Sequence, residues 1–350
     1  MTRFPAAWIV AAAWLGIALA PSRVDAVCIP FPCDDCTLQS AGQITLVSMD
    51  RIHGRVILVP NIRLVGRAED FALVVPTPAL PELTAASADL WTQSFALTAG
   101  IFTGSRGGDS FGCGVETVAS PTSFEDDAVG GEGDVIVHGR ETVGAMEAVI
   151  LSSEDSTALA TWLRDNGFPF TEEDAVRFAP YAARGWFFTA MRPADPSSTP
   201  RNWDSNVDPV AFSYAADTFE IPMPLLGGPN TNTMAMGFFV VDDYRTEFPG
   251  LNTLYANRIT ESEYLAIRGR HPALAVYLAP GRVLTRMDRM IDPQDDFSAG
   301  IALLRAADQS EVRRVNGVVQ RAAIPGFLVL TGALSWIAAQ WAGRERRRTV

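Results

Sequence analysis

The chain has 350 residues, 48% of them hydrophobic, and a formal net charge of −12 at pH 7. All 28 basic residues are arginine, and 40 residues are acidic. Residues 27–321 keep 22 of those arginines and 38 of those acids, which gives a net charge of −16. Such an acidic surface repels phosphate groups and excludes nucleic acid as a partner. The length allows one large domain or two smaller ones.

Residues 1–26 predict a secretory signal peptide. Arg3 supplies a positive start, residues 6–20 are apolar without a break, and a Val-Asp-Ala ending suits cleavage. The apolar run is shorter than the roughly 20 residues that a membrane span needs. The alternatives are an uncleaved N-terminal anchor and a lipoprotein attached through Cys28, for which the preceding Val27 is too large. We therefore expect the mature protein to begin at Val27.

Four cysteines follow: Cys28, Cys33, Cys36 and Cys113. The first three match the local spacing of plant-type iron–sulfur ligands, but the fourth lies 77 residues after Cys36. A four-thiolate zinc site needs two close pairs, and Cys113 has no near partner in the sequence. An exported chain with an even number of cysteines is typical of disulfides, so we predict two disulfides and no metal. Three pairings are open, and we favour Cys28–Cys33 with Cys36–Cys113.

The body of the chain opens with β-rich segments. They lie at residues 43–49, 55–66 and 69–83. Short polar turns between them predict hairpins. The alternation of Phe71, Leu73 and Val75 predicts a strand with one buried face. Pro60 predicts that its own strand lies at an edge or carries a bulge.

Residues 104–133 are rich in glycine and acidic side chains and lack periodicity, so they predict a surface loop. This loop is also the possible boundary between two subdomains. After it, residues 135–151 predict a second hairpin.

A helical pair is predicted next. In residues 152–167, Ser152 and Asp155 resemble a capping box, and Gly167 ends the helix. Its apolar stripe consists of Leu159, Trp162 and Leu163. A second helix starts at Thr171, and Pro180 predicts that it breaks into two short pieces. Further strands are predicted at residues 185–191, 211–221, 234–241, 273–278 and 283–291.

Residues 322–343 predict a transmembrane helix. The segment carries no charge, and a helix of about 20 residues spans the roughly 30 Å of a bilayer core. Trp336 and Trp341 lie toward one end, as interface aromatics do. Four arginines follow within residues 344–350, and basic residues stay on the cytoplasmic side. We therefore expect residues 27–321 outside the cytoplasm, attached to the lipid bilayer by one C-terminal helix.

The fold class predicted from these elements is α+β. The extracytoplasmic domain would consist of mainly antiparallel β-sheet with a central helical pair, followed by the single transmembrane helix.

Five stretches resemble a known family, in order along the chain. They read "CIPFPC", "AEDFALVVPTPALPEL", "VGAMEAVILSSEDSTALATWLRDNGF", "APYAARGWFFTAMRP" and "VLTRMDRMIDP". They resemble the bacterial exported family known as domain of unknown function 2330, from about residue 28 to about residue 305. In that family the cysteine pair reads Cys-Gly-Gly-Phe-Phe-Cys, whereas Ile29 and Pro30 stand here in place of the glycines. The resemblance implies an exported, often anchored protein and no established reaction, so it supplies no catalytic residue.

Candidate chemistry is sparse. "GDSFG" at residues 108–112 fits the G-x-S-x-G pattern, but Ser110 lacks the preceding apolar strand and the following helix that a nucleophile elbow needs. His138 or His271 is a conceivable base for it. The three histidines, which include His53, share no metal-ligand spacing.

Acidic pairs and aromatic residues offer two weaker candidates. The pairs are Asp34-Asp35, Asp126-Asp127, Asp242-Asp243 and Asp295-Asp296. They follow no recognised calcium-loop pattern. A group of aromatic residues fits a core better than a binding groove: Trp162, Trp186, Phe187 and Phe188.

Two functional hypotheses follow. The first is a membrane-anchored extracytoplasmic protein with a non-catalytic binding or structural role in the bacterial cell envelope, which needs no cofactor and has an envelope protein or ligand as its partner. The second is an extracytoplasmic hydrolase with a nonstandard site around Ser110.

Overall fold

The computed structural model describes residues 29–32, 39–67, 71–99, 135–168, 170, 172–195, 202–226 and 233–312. The predicted signal peptide, the loop at residues 104–133 and the predicted transmembrane helix lie outside the described residues. No helix in the described part of the chain combines the length and apolarity that crossing a bilayer needs.

The described chain contains 17 strands and six helices. The strands are β1 (Ile29–Pro32), β2 (Gln39–Asp50), β3 (Arg55–Arg67), β4 (Phe71–Thr77), β5 (Glu82–Ala85), β6 (Ile136–Val143), β7 (Met146–Ser152), β8 (Phe187–Pro193), β9 (Asn202–Asn206), β10 (Val210–Ala215), β11 (Glu220–Ile221), β12 (Met234–Asp242), β13 (Thr246–Glu247), β14 (Asn252–Arg258), β15 (Val283–Ile291), β16 (Ile301–Ala302) and β17 (Leu304–Arg305). The helices are α1 (Asp89–Thr98), α2 (Ser156–Asp165), α3 (Glu172–Ala182), α4 (Met223–Leu226), α5 (Glu261–Arg270) and α6 (Pro272–Ala275).

These strands form two main sheets. The small sheet has the order β1-β4-β8-β7-β6. The large sheet has the order β14-β15-β12-β2-β3-β10-β5, and β9 also pairs with β3. Every described pairing is antiparallel except that of β12 with β2, which is parallel. The predicted α+β class with mainly antiparallel sheets is therefore confirmed.

The two sheets pack face to face, and helices cover their outer faces. Val240 and Phe212 of the large sheet share one buried cluster with Leu73 and Ile150 of the small sheet. Helices α2 and α3 cover the outer face of the small sheet, and α1, α5 and α6 cover that of the large sheet. Alternate residues of a strand point to opposite faces, so each sheet buries both faces.

The helical pair is present, with a different start and no break. Asp155 itself is the N-cap of α2, and its carboxylate accepts a hydrogen bond from Thr157 N at 2.8 Å. Ser152 instead ends β7, so the predicted capping box is wrong. Gly167 ends the helix as predicted, with φ +80°, while Phe168 N donates to Leu163 O at 2.8 Å. Helix α3 continues through Pro180, which lies in its last turn, so the predicted break is also wrong.

Three strand predictions are corrected. Strands β3 and β4 belong to different sheets, so they do not form a hairpin. All seven residues of β4 are buried, because the second sheet covers one face and the helical pair the other. The segment predicted as a strand at residues 273–278 begins with α6, in which Pro272 takes the first helical position. The hairpins β2–β3 and β6–β7 are confirmed.

Pro60 lies in an interior strand of the large sheet, not at an edge. On one side β3 pairs with β2. On the other side it pairs with β10 through residues 55–58 and with β9 through residues 63–67. Pro60 falls in the gap between those two partners, where a missing N–H donor costs no ladder bond to either of them.

Candidate functional site

Several residues singled out from the sequence lie outside the described part of the chain. They are Cys28, Cys33, Cys36, Cys113 and Ser110. The two disulfides and the hydrolase site around Ser110 therefore stay predictions.

The three histidines lie on separate elements. His53 is exposed in the β2–β3 turn, with Nδ1 2.7 Å from Asp50 Oδ2. His138 lies on β6, with Nε2 2.7 Å from Ser152 Oγ. His271 links the end of α5 to the start of α6. Among the described residues, no group of three or more His, Cys, Asp and Glu side chains is placed to hold a metal ion.

The aromatic residues pack into the core, as the sequence indicates. Phe188 is fully buried between the small sheet and the helical pair, and Trp162 and Trp186 pack at the margin of the same cluster. Phe187 packs on the opposite face of the sheet.

The pair Asp242-Asp243 leads to the most elaborate polar cluster among the described residues. We define the Tyr244 cluster as Arg51, Asp242, Asp243, Tyr244, Arg282 and Arg305. The β2–β3 turn supplies Arg51, and the end of β12 with the turn after it supplies the acidic pair and Tyr244. Arg282 lies immediately before β15, and Arg305 ends β17. These elements meet because β12 lies between β2 and β15 in the large sheet.

Asp242 is the buried centre of this cluster. Its side chain is 0% exposed, and it accepts two hydrogen bonds from Arg51, from Nε at 2.9 Å and from Nη2 at 2.8 Å. Asp243 N donates to the same carboxylate at 2.7 Å. The hydrogen bonds to Asp242 raise the pKa of Arg51 above its ordinary value. A buried carboxylate with a two-pronged arginine partner is a structural ion pair that fixes the turn.

Arg282 makes a second set of contacts within the Tyr244 cluster. Its Nε lies 3.1 Å from Asp243 Oδ1, and its Nη2 donates to Val241 O at 3.2 Å and also to Met49 O. The guanidinium thereby joins the ends of β2 and β12. Both members of the acidic pair thus have an arginine partner.

The outer layer of the cluster consists of arginine and tyrosine. The guanidinium carbon of Arg51 lies 5.0 Å from the centre of the Tyr244 ring, and that of Arg305 lies 4.9 Å from it. Cation–π contact at this distance holds both guanidinium groups in place. Arg305 is exposed and makes no ion pair with another described residue.

The chemistry available to this cluster is recognition. Arginine stays protonated at neutral pH, so it does not act as a general acid or base. Its planar fork binds carboxylate or phosphate groups, and arginine and tyrosine are enriched at protein interfaces. The side chains are held before any partner arrives, which reduces the entropy lost on binding. Sequence reasoning missed the cluster because residues 51, 242–244 and 305 are far apart in the chain.

The fold places the chain in the class of two-sheet α+β domains with helices on both outer faces. The chain belongs to the family described as "Uncharacterized protein conserved in bacteria (DUF2330)", whose model matches residues 31–294. The family resemblance seen in the sequence is therefore confirmed. A comparison with curated proteins finds no match.

Two solved structures show a distant likeness. The crystal structure of baculovirus P35 has a TM-score of 0.33 and 11% sequence identity, over 63% of this chain and 76% of that chain. A mutated baculovirus P35 after caspase cleavage has a TM-score of 0.30 and 7% identity, over 76% of this chain and 97% of that chain.

Proposed function

We propose that the protein is a membrane-anchored, extracytoplasmic binding protein of the bacterial cell envelope, and that the Tyr244 cluster is its recognition surface. The observation that carries the binding role is the exposed guanidinium of Arg305, which Tyr244 holds in place and no described carboxylate pairs with. Three sequence features support the extracytoplasmic, membrane-anchored location. They are the predicted signal peptide at residues 1–26, the apolar segment at residues 322–343 and the arginines after it.

The partner expected from this chemistry is an envelope component with an exposed carboxylate or other anionic group. An arginine fork pairs with such a group through two hydrogen bonds. The interaction would weaken at high ionic strength, because salt screens contacts between exposed charges.

The test is cross-linking in intact cells that express the tagged full-length chain. Wild type is compared with Arg305→Ala, and with Arg268→Ala as the control, because Arg268 is exposed on α5 and its substitution changes the charge equally. We expect the Arg305 variant to lose a cross-linked partner that wild type and the control retain. An identical set of partners in all three samples would contradict the recognition role.

A further inference from the structure

A second arrangement of residues lies apart from the Tyr244 cluster, at one end of the small sheet. Ser152 pairs with Ile136 of β6 on one side and with Phe187 of β8 on the other. The register of β6 shifts between Val137 and Gly139, which makes His138 the extra residue of a β-bulge. Bulges re-aim side chains, and here the imidazole Nε2 lies 2.7 Å from Ser152 Oγ.

The surroundings of this pair resemble those of an activated nucleophile. A serine and a histidine within 2.6–3.2 Å are close enough for direct proton transfer. The His138 ring also packs against Phe187, with ring centres 4.9 Å apart. Burial lowers the pKa of His138, so its imidazole is neutral and able to accept a proton at pH 7.

The local chain order also fits a reactive serine. Ser152 ends the apolar strand β7, and helix α2 begins at Ser156. The order strand, turn, helix is one part of the context that a nucleophile elbow needs, and it is the part that the sequence around Ser110 lacks. The site has apolar walls as well, because Ile136 is 56% exposed and Phe187 is partly buried beside the serine.

We propose that Ser152 and His138 form a nucleophile–base pair that hydrolyses esters with a small apolar acyl group, an activity beyond the binding role. The Ser152 oxygen bonds to the ester carbonyl carbon while its proton passes to His138 Nε2. The bond to the alkoxy group then breaks, and the departing oxygen takes that proton. Water releases the acyl group as a carboxylic acid by the same route and restores the serine.

The register also places a carboxylate on this face of β6. Glu141 pairs with Ala148, which faces the same side of the sheet as Ser152, and burial raises the pKa of Glu141. No described contact joins Glu141 to His138. The proposal therefore assigns no role to Glu141.

The test uses the full-length chain in detergent and a fluorophosphonate probe. Ser152 Oγ attacks phosphorus, fluoride leaves, and the proton goes to His138. We expect mass spectrometry to find the label on Ser152, and His138→Gln to slow labelling at least roughly a hundredfold, the minimum usual for a general base. Ser298→Ala, at an exposed serine, serves as the control and should label Ser152 at the wild-type rate.

A second measurement avoids any effect of the substitution on folding. Diethyl pyrocarbonate blocks histidine rings in the unmutated chain and should abolish labelling of Ser152. The same treatment should also abolish labelling of Ser152 in a His53→Gln/His271→Gln variant, in which His138 is the remaining histidine. Absence of label on Ser152, or labelling that is unchanged when His138 is replaced or blocked, would overturn the proposal.

Discussion

At the scale of single residues, the pair of Arg51 and Asp242 is the interaction whose loss should matter most in the Tyr244 cluster. Arg51→Met keeps an apolar stem of similar length but leaves a fully buried carboxylate without its charged partner. We expect the free energy of unfolding to fall by about 3 kcal/mol, since an uncompensated buried charge is costly. Denaturant unfolding of the full-length chain measures this loss.

The control for that measurement is Arg63→Met. Arg63 pairs with Asp204, but the two side chains are 56% and 71% exposed, so the loss should stay within about 1 kcal/mol. Adding Asp242→Asn to Arg51→Met should recover part of the lost stability, because the amide carries no charge. Equal losses in Arg51→Met and Arg63→Met would show that the buried pair is not a structural tie.

His138 should also make stability depend on pH. Burial lowers its pKa below the ordinary value of 6.5, so below that pH the unfolded chain binds more protons than the folded one. The stabilising contribution is thus present above the unfolded pKa and is lost as pH falls through the folded pKa. His271, whose pKa is lowered by burial and by Arg270, adds to the same trend.

We expect NMR titration to place the pKa of His138 below 6.5, and Phe187→Ala to raise it by admitting water. His138→Gln should flatten the loss of stability below about pH 6.5. A His138 pKa above the ordinary value would contradict the partial shielding of its ring from water.

At the scale of elements, two glycines should respond to alanine in opposite directions. Gly167 ends α2 with φ +80°, a conformation that costs an alanine roughly 1–2 kcal/mol. Gly269 lies within α5, and a methyl group there meets nothing within 4 Å. Gly269→Ala should therefore stabilise the protein by up to about 1 kcal/mol. Melting temperatures that move the same way in both variants would contradict this account of the helix ends.

Comparing the predicted elements with the observed ones shows which parts of the fold can be predicted from local sequence patterns. Hairpins and the helical pair follow from turn residues and periodicity, which act over a few positions. Periodicity does not predict helix α5, although Thr260 and Glu263 form a complete capping box, because only Ile267 among its residues is buried and no apolar stripe marks it. The alternation in β4 predicts one buried face, since the sequence of a single strand does not show that the helical pair covers its other side.

The candidate sites follow the same logic. Asp242-Asp243 was visible as a pair, but its partners Arg51 and Arg282 come from distant segments that only the sheet order brings together. The local sequence predicts a helix cap at Ser152, because the bulge that turns His138 toward it leaves no signal that periodicity detects.

At the scale of the whole molecule, the oxidation state of the four cysteines tests whether the chain is exported, because disulfides form outside the cytoplasm. If Cys28, Cys33, Cys36 and Cys113 form two disulfides, the purified protein should contain no free thiol and no stoichiometric iron or zinc. A peptide with Cys113 should remain linked to the N-terminal segment after non-reducing digestion. Cys113→Ser should lower the melting temperature, because closing a long loop restricts the unfolded chain. About one zinc ion per chain, or an iron–sulfur absorption band, would contradict the disulfides.

The orientation of the chain in the membrane is the claim on which the proposed function depends, because an envelope partner must meet residues 27–321 outside the cytoplasm. The most direct measurement adds protease to spheroplasts that carry the full-length chain with a tag after Val350, with lysed spheroplasts as the control. We expect intact spheroplasts to lose the large domain and to keep a short tagged fragment that contains residues 322–350. Protection of the large domain in intact spheroplasts, with digestion only after lysis, would contradict an extracytoplasmic location.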